Sequence, residues 1–143
     1  MHAVLDTSAV IHLLERKNAE VVAELRKCGE APLISAVTLA ELGVGWATLP
    51  SDSPRRKTFR AACRLRISNI VFDSFDREPT GLVLSFGVCR VAGIKGNDAW
   101  IAATAHDSAG TLITFDETLA ARFATIGTAV LIRVTQTRPV RTL

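Results

Sequence analysis

Short apolar runs alternate with longer stretches of helical periodicity along the 143 residues. Residues 2–5 are β-prone and predict a first strand, after which Thr7 or Ser8 can cap a helix to about Arg16. Residues 18–28 predict a second helix with Val21, Val22 and Leu25 on one face, stopped by Gly29. A short strand at 32–35 follows, then a helix begun by Ser35 or Thr38 and closed near Leu49 by Pro50. Pro54 suits the first turn of a helix reaching about Ile67. A third strand is expected at 69–72 and a helix at 76–91, loosened by Gly81 and Gly87 and ended by Gly93. Gly96 and Asn97 punctuate before a helix from Asp98 to about Ser108. Strand 111–115, helix 117–125 and strand 129–134 complete the pattern. Strands alternating with helices predict an α/β fold: a three-layer α/β/α sandwich around a mainly parallel sheet of four to five strands. One domain is expected over 1–135, with a polar tail at 136–143 and no linker or repeat.

Composition narrows the class. The chain is 48% hydrophobic and 22% charged, which excludes a disordered polymer, and its length suffices for a core without staples. Cys28, Cys63 and Cys89 are scattered and odd in number, so neither a disulfide framework nor a zinc site is suggested. Free thiols fit a reducing cytoplasm. No basic segment precedes a long apolar run at the N-terminus, and runs such as 81–89 are too short to span a bilayer, so a cytoplasmic protein without membrane contact is expected.

Four acids break the apolar pattern. Asp6 ends the run AVLD, Glu41 interrupts VTLAEL, Asp98 opens DAWIAATA and Asp116 ends LITFD. An unpaired buried charge costs on the order of several kcal/mol, so each needs hydrogen bonds, a counter-charge or a metal. Asp6 and Asp116 follow predicted strands directly and should reach the carboxyl rim of the sheet, where α/β folds bind ligands. Asp98 opens a helix, and Glu41 lies one turn into another. Val37, Ala40, Glu41, Val44 and Thr48 fall on one helical face, and Asp98, Ile101, Ala102 and Ala105 on another, so both acids point with the core. Asp6, Asp98 and Asp116 also stand at N-cap positions, a role compatible with ligation; capping does not explain Glu41. Should the four converge, a hard divalent cation would offset their charge.

The net charge of +3 says little by itself. Arg55, Arg56, Lys57, Arg60, Arg64 and Arg66 concentrate on one predicted helix, with Arg56, Arg60 and Arg64 at i, i+4 and i+8. This stripe is a candidate RNA phosphate surface or a solvated helix face. Phe59, Ala62, Cys63 and Ile67 form the opposite stripe. His2, His12 and His106 lack metal-ligand spacing; His12 lies nearest the acids and reads as a packed or surface residue. Trp46 and Trp100 read as core or interface, and Asp73, Asp76 and Asp107 as surface or cap residues.

The segments VLDTSAVI at 4–11, SAVTLAEL at 35–42, NDAWIAATA at 97–105 and TLITFD at 111–116 resemble the PIN-domain family, in particular its VapC-like ribonuclease toxins from toxin–antitoxin pairs. The resemblance runs in order over nearly the whole chain. It implies a PIN-like fold and places the acidic site on Asp6, Glu41, Asp98 and Asp116, with Thr7, Thr114 and Ser8 beside it. Leu119 stands where the family usually has an aromatic, a change of packing rather than chemistry.

The activity so implied is endoribonuclease cleavage with one or two Mg2+ or Mn2+ ions. Asp6, Asp98 and Asp116 are expected as direct ligands, and Glu41 as a ligand or as the group that orients the attacking water. Thr7 and Thr114 are expected to hold carboxylates or a phosphate. Expected partners are RNA, a cognate antitoxin that buries the site or inserts a basic side chain, and a second copy in a homodimer. Alternatives are an RNA-processing or DNA-structure nuclease, or a silent binding module; retention of all four acids argues against the last.

Overall fold

A computed structural model describes residues 2–29, 32–48, 50, 52–66 and 80–133, and at positions 45, 46, 55 and 62–66 it describes the backbone alone. The strand expected at 69–72, Asp73, Asp76 and the tail at 136–143 lie outside the described residues. The elements run β1 (Ala3–Leu5), α1 (Thr7–Arg16), α2 (Ala19–Cys28), β2 (Leu33–Ile34), α3 (Ala36–Thr48), α4 (Pro54–Arg66), α5 (Thr80–Val91), α6 (Gly96–Asp107), β3 (Thr111–Thr114), α7 (Glu117–Phe123) and β4 (Thr128–Leu131). The four strands form one sheet in the order β2-β1-β3-β4, every pair parallel. Val4 pairs with both Leu33 and Leu112, which fixes the central register.

Alternation along the strands builds two cores. Ala3, Leu5 and Ile113 face Ala9 and Val10 of α1, Val21 of α2 and Leu42 of α3. Val4 and Leu112 face Cys89 of α5, Ile101 and Ala102 of α6, and Leu119 and Phe123 of α7. Because both faces are covered, the central strands are buried throughout rather than on alternate residues; the polar positions of β3 are the threonines at its two ends. Each fully buried Leu or Ile contributes roughly 1.5–3 kcal/mol. The sheet is thus the middle layer of an α/β/α sandwich.

α6 is buried without interruption from Ile101 to Ala105. Its alanines let it lie close to β1 and β3 while α5 packs over it. Strand β3 is brought equally close at its start. The Thr111 N–H donates to the His2 carbonyl at 2.8 Å, and a Cβ on Gly110 would stand 2.7 Å from that carbonyl oxygen. Only glycine fits there.

Helix punctuation follows side-chain chemistry. Asn18 accepts from Glu20 N and Val21 N to start α2, and Gly29 at φ 69 ends it. Pro54 begins α4 as expected. Two expectations shift. α1 is capped by Asp6 rather than by Thr7 or Ser8. α6 begins at Gly96, so Asp98 lies in its first turn and does not cap it. Among the described residues, no helix is long and apolar enough to cross a membrane.

The connection from β1 to β2 runs through α1 and α2, and that from β3 to β4 through α7. Since β2 and β4 lie on opposite sides of the central pair, the two connections diverge. The carboxyl ends of β1 and β3 therefore flank the topological switch point, where a crevice opens in such sheets.

Candidate active site

Asp6 follows β1 at this point, 5% exposed. Its Oδ1 accepts from the Ala9 N–H at 2.8 Å, as the cap of α1, and from the Ser8 hydroxyl at 2.7 Å. Its Oδ2 accepts a short hydrogen bond from the Thr114 hydroxyl at the end of β3. The Thr114 oxygen in turn accepts the Asp116 N–H at 2.9 Å. A chain of hydrogen bonds thus ties the ends of β1 and β3 and seats Asp6 and Asp116 beside each other. Burial pushes the Asp6 carboxyl above its ordinary range; the bonds from Thr114, Ala9 and Ser8 oppose this, and the Asp116 charge adds to it.

Asp116 caps α7, its Oδ1 accepting from Leu119 N at 3.1 Å, and is exposed. Asp98 is solvent-accessible as a residue, yet partial burial of its carboxyl raises its pKa, and the charges of Asp116, Asp6 and Glu41 raise it further. All four carboxylates therefore share one electrostatic neighbourhood, assembled from β1, α3, α6 and the β3–α7 junction.

Three sequence expectations need correction. Only Asp6 is buried; Asp98 and Asp116 are exposed and Glu41 is half-buried. Glu41 does not stand within an apolar stripe, because α3 buries Thr38 and Leu42 while Ala40, Val44 and Thr48 are exposed. It sits at the margin of the buried face. The hydroxyls also divide differently from expectation: Ser8 and Thr114 hold Asp6, whereas the buried Thr7 Oγ1 has no hydrogen-bond partner, as is true of Thr38 Oγ1.

The basic stripe singled out from the sequence lies elsewhere, on α4, which packs against α1 and α3. Lys57 and Arg60 are exposed and Arg56 is half-buried; the side chains of Arg55 and Arg64 lie outside the description. Thr58 donates to Glu15 at 2.7 Å, and Phe59 packs into the core beside α1 and α3. His12 stacks on Phe115 with centroids 3.9 Å apart, and burial lowers its pKa, so it is a packed residue. Trp100 stacks on Phe86 at 4.0 Å. Cys28 and Cys89 are free thiols, and burial pushes Cys89 to about 11.

An open pocket beside the acids is lined by Ile94, Lys95, Asp98, Asp116, Thr118, Leu119 and Arg122. Sequence reading missed Lys95, Thr118 and Arg122. The available signal was the i, i+4 pair Thr118 and Arg122 on the helix that Asp116 caps.

The candidate ligand atoms of the four acids are all carboxylate oxygens, which suits Mg2+ or Mn2+ rather than zinc. Among the described residues, no three His, Cys, Asp or Glu side chains form a ready-made cage. In chemistry the residues fit a hard divalent ion.

A doubly wound α/β protein with carboxylates at its switch point is the class defined so far. The PIN domain family model matches residues 3–124. The chain belongs to the PIN domain family. Its fold is similar to VapBC-1 from nontypeable Haemophilus influenzae, with 24% identity, a TM-score of 0.64, and 92% of this chain and 98% of that chain covered. It is also similar to VapBC-5 of Mycobacterium tuberculosis, a member of the VapBC family of toxin–antitoxin systems (26% identity, TM-score 0.57, 94% and 100% covered). VapBC2 from Rickettsia felis, bound to a DNA fragment from its promoter, matches at 19% identity and TM-score 0.63 over 93% and 98%. No curated protein sequence matches.

Proposed function

We propose that this chain is a VapC-like toxin: an endoribonuclease dependent on Mg2+ or Mn2+ and neutralised by a cognate antitoxin. The observation that carries the reading is the Asp98 carboxyl at the switch point of a PIN fold, raised first by partial burial and then by the charges of Asp116, Asp6 and Glu41. The VapBC relatives support the antitoxin partner.

In this reading Asp6, Asp98 and Asp116 hold one or two cations, and Glu41 binds a cation or orients the attacking water. A bound divalent ion supplies Lewis acidity and makes water a competent nucleophile near neutral pH. Ser8, Thr114 and the Ala9 N–H fix the Asp6 carboxylate so that it presents itself without reorganising. Glu41, at the rim, can accept the proton from a water attacking in line. The products are a 5′-phosphate and a 3′-hydroxyl.

The test is cleavage of single-stranded RNA by the purified protein with Mg2+, with Mn2+ and with EDTA, beside Asp6→Asn. The reading expects cleavage only with metal and only by the wild-type protein, and growth arrest on expression that the variant does not cause. Equal cleavage by both proteins refutes it.

Self-association belongs to the same proposal. α5 exposes Val83, Leu84, Val88 and Val91, with 84, 88 and 91 at i, i+4 and i+7. Arg90 is the only charged residue of this helix, so a second copy meets little repulsion there. Sedimentation should show a dimer that Leu84→Glu with Val88→Glu dissociates; a monomeric wild type refutes it.

A further inference from the structure

Two cations share the open pocket with two of the site carboxylates and leave them unneutralised. Lys95, Thr118 and Arg122 line it with Asp98 and Asp116, over Ile94 and Leu119. Opposite charges this near each other ordinarily pair. Here the Lys95 ammonium makes no hydrogen bond or ion pair among the described residues, and neither cation bridges to Asp98 or Asp116.

Arg122 is held in place by the backbone. It donates from Nη1 to the Gly93 carbonyl at 2.8 Å. Gly93 adopts φ 89, a conformation open to glycine, and its Cα lies under the guanidinium; a Cβ there would be 3.6 Å from Nε. The other guanidinium donors remain available. Lys95 is the N-cap residue of α6, and its side chain does not cap, so the first-turn N–H groups have no side-chain acceptor there. Among the described residues the pocket has no aromatic lining, which disfavours a nucleobase and favours a charged, hydrogen-bonding ligand.

We propose that Lys95 and Arg122, with the Thr118 hydroxyl, bind a backbone phosphate of single-stranded RNA next to the scissile one. The clamp sets the register of the strand over the carboxylates. It keeps positive charge for the flanking phosphate on one wall and negative charge for a cation on the other. The proposal rests on the phosphodiester-cleaving reading above, which it deepens by naming how the substrate is held.

The experiment measures anisotropy of a labelled single-stranded RNA with Ca2+ in place of the catalytic metal, across a KCl series. Steady-state cleavage in Mg2+ or Mn2+ and a thermal melt accompany it. Lys95→Gln, Arg122→Gln, the double variant and Arg122→Lys are compared with wild type. Each single neutralisation should weaken binding about five- to tenfold and lower the slope of log affinity against log salt by about 0.7, the double by about 1.4. KM should rise while kcat stays within about threefold, and Arg122→Lys should restore the slope. A double variant with wild-type slope and KM overturns the clamp and leaves the nuclease reading standing. An Arg122→Gln protein that melts earlier with an unchanged slope makes Arg122 a structural tie to Gly93 and overturns its role. Binding that depends on both cations, without cleavage by wild type in any divalent metal, upholds the clamp and refutes the nuclease reading. A wild type that binds no RNA refutes both.

Discussion

Thr114→Val tests the link between the two central strands. Thr114 is fully buried, and its hydroxyl donates to Asp6 Oδ2 and accepts the Asp116 N–H. Valine keeps the shape and removes both bonds. A hydrogen bond to a buried carboxylate is worth about 1.5–3 kcal/mol and a neutral one about 0.5–1.5 kcal/mol, so the variant should lose roughly 2–4 kcal/mol. For a chain of this size that corresponds to a fall in Tm of about 5–15 °C. The loss depends on pH in a defined direction. The Thr114 bond lowers the pKa of Asp6 against a larger rise from burial. Its deletion therefore costs most where Asp6 is ionised and shrinks as falling pH protonates the carboxyl. Urea unfolding followed by circular dichroism in EDTA, at neutral and mildly acidic pH, measures both. Thr114→Ser serves as the control that retains the hydroxyl. A loss below about 1 kcal/mol at neutral pH, or the same loss at both pH values, refutes the reasoning.

Four further outcomes follow from the structure. In metal-free protein the raised Asp6 and Asp98 carboxyls hold protons that the unfolded chain releases near 3.8, so their contribution to stability is full below that pH and is lost as pH rises through the folded values; Asp6→Asn should remove its share of this slope. Cations compete with those protons, so calorimetric Mg2+ or Mn2+ affinity should climb over the same rise in pH, and a flat profile refutes a shared carboxylate site. Gly110→Ala places a Cβ 2.7 Å from the His2 carbonyl oxygen and should cost about 1–3 kcal/mol in chemical denaturation, because backbone must move rather than a side chain. Lys57→Glu with Arg60→Glu on α4 should weaken RNA binding and flatten its salt dependence if that helix tracks phosphate; wild-type binding assigns it to a solvated face.

What was legible in the sequence was punctuation and period. Asn18, Gly29 and Pro54 mark helix ends through local chemistry that needs no tertiary partner, and each marks one in the structure. Four strands were legible because a sheet covered on both faces demands buried runs; β1, β2 and β3 were overextended by one residue at one end or both, whereas β4 was begun one residue late and carried past Leu131, and the strand expected at 69–72 lies outside the described residues. The facing of Glu41 was not legible. α3 carries Val37, Leu39, Leu42 and Val44 around its circumference, so its sequence has no phase, and contact with α4 and α6 decides that Thr38 and Leu42 go inside. Lys95 was not legible for another reason: it lies on a different element from Arg122, and only the fold brings the two to one pocket.

The four acids also differ in how the protein holds them. Both oxygens of Asp6 accept from protein donors, and Asp116 accepts at one. Asp98 caps nothing, accepts no hydrogen bond among the described residues, and feels three like charges. Capping therefore explains the presence of Asp6 and Asp116 without any ligand, and Glu41 can be read as a residue at a helix margin. Asp98 has only the small benefit of an acid in the first turn of α6, about 0.3–1 kcal/mol, set against three like charges. In a stable apo fold an alanine at that position would relieve repulsion, so the stability of the metal-free Asp98→Ala protein should equal or exceed that of wild type. A destabilised Asp98→Ala protein would mean that the acid has a structural partner after all, and would remove the strongest reason to place a cation at the switch point.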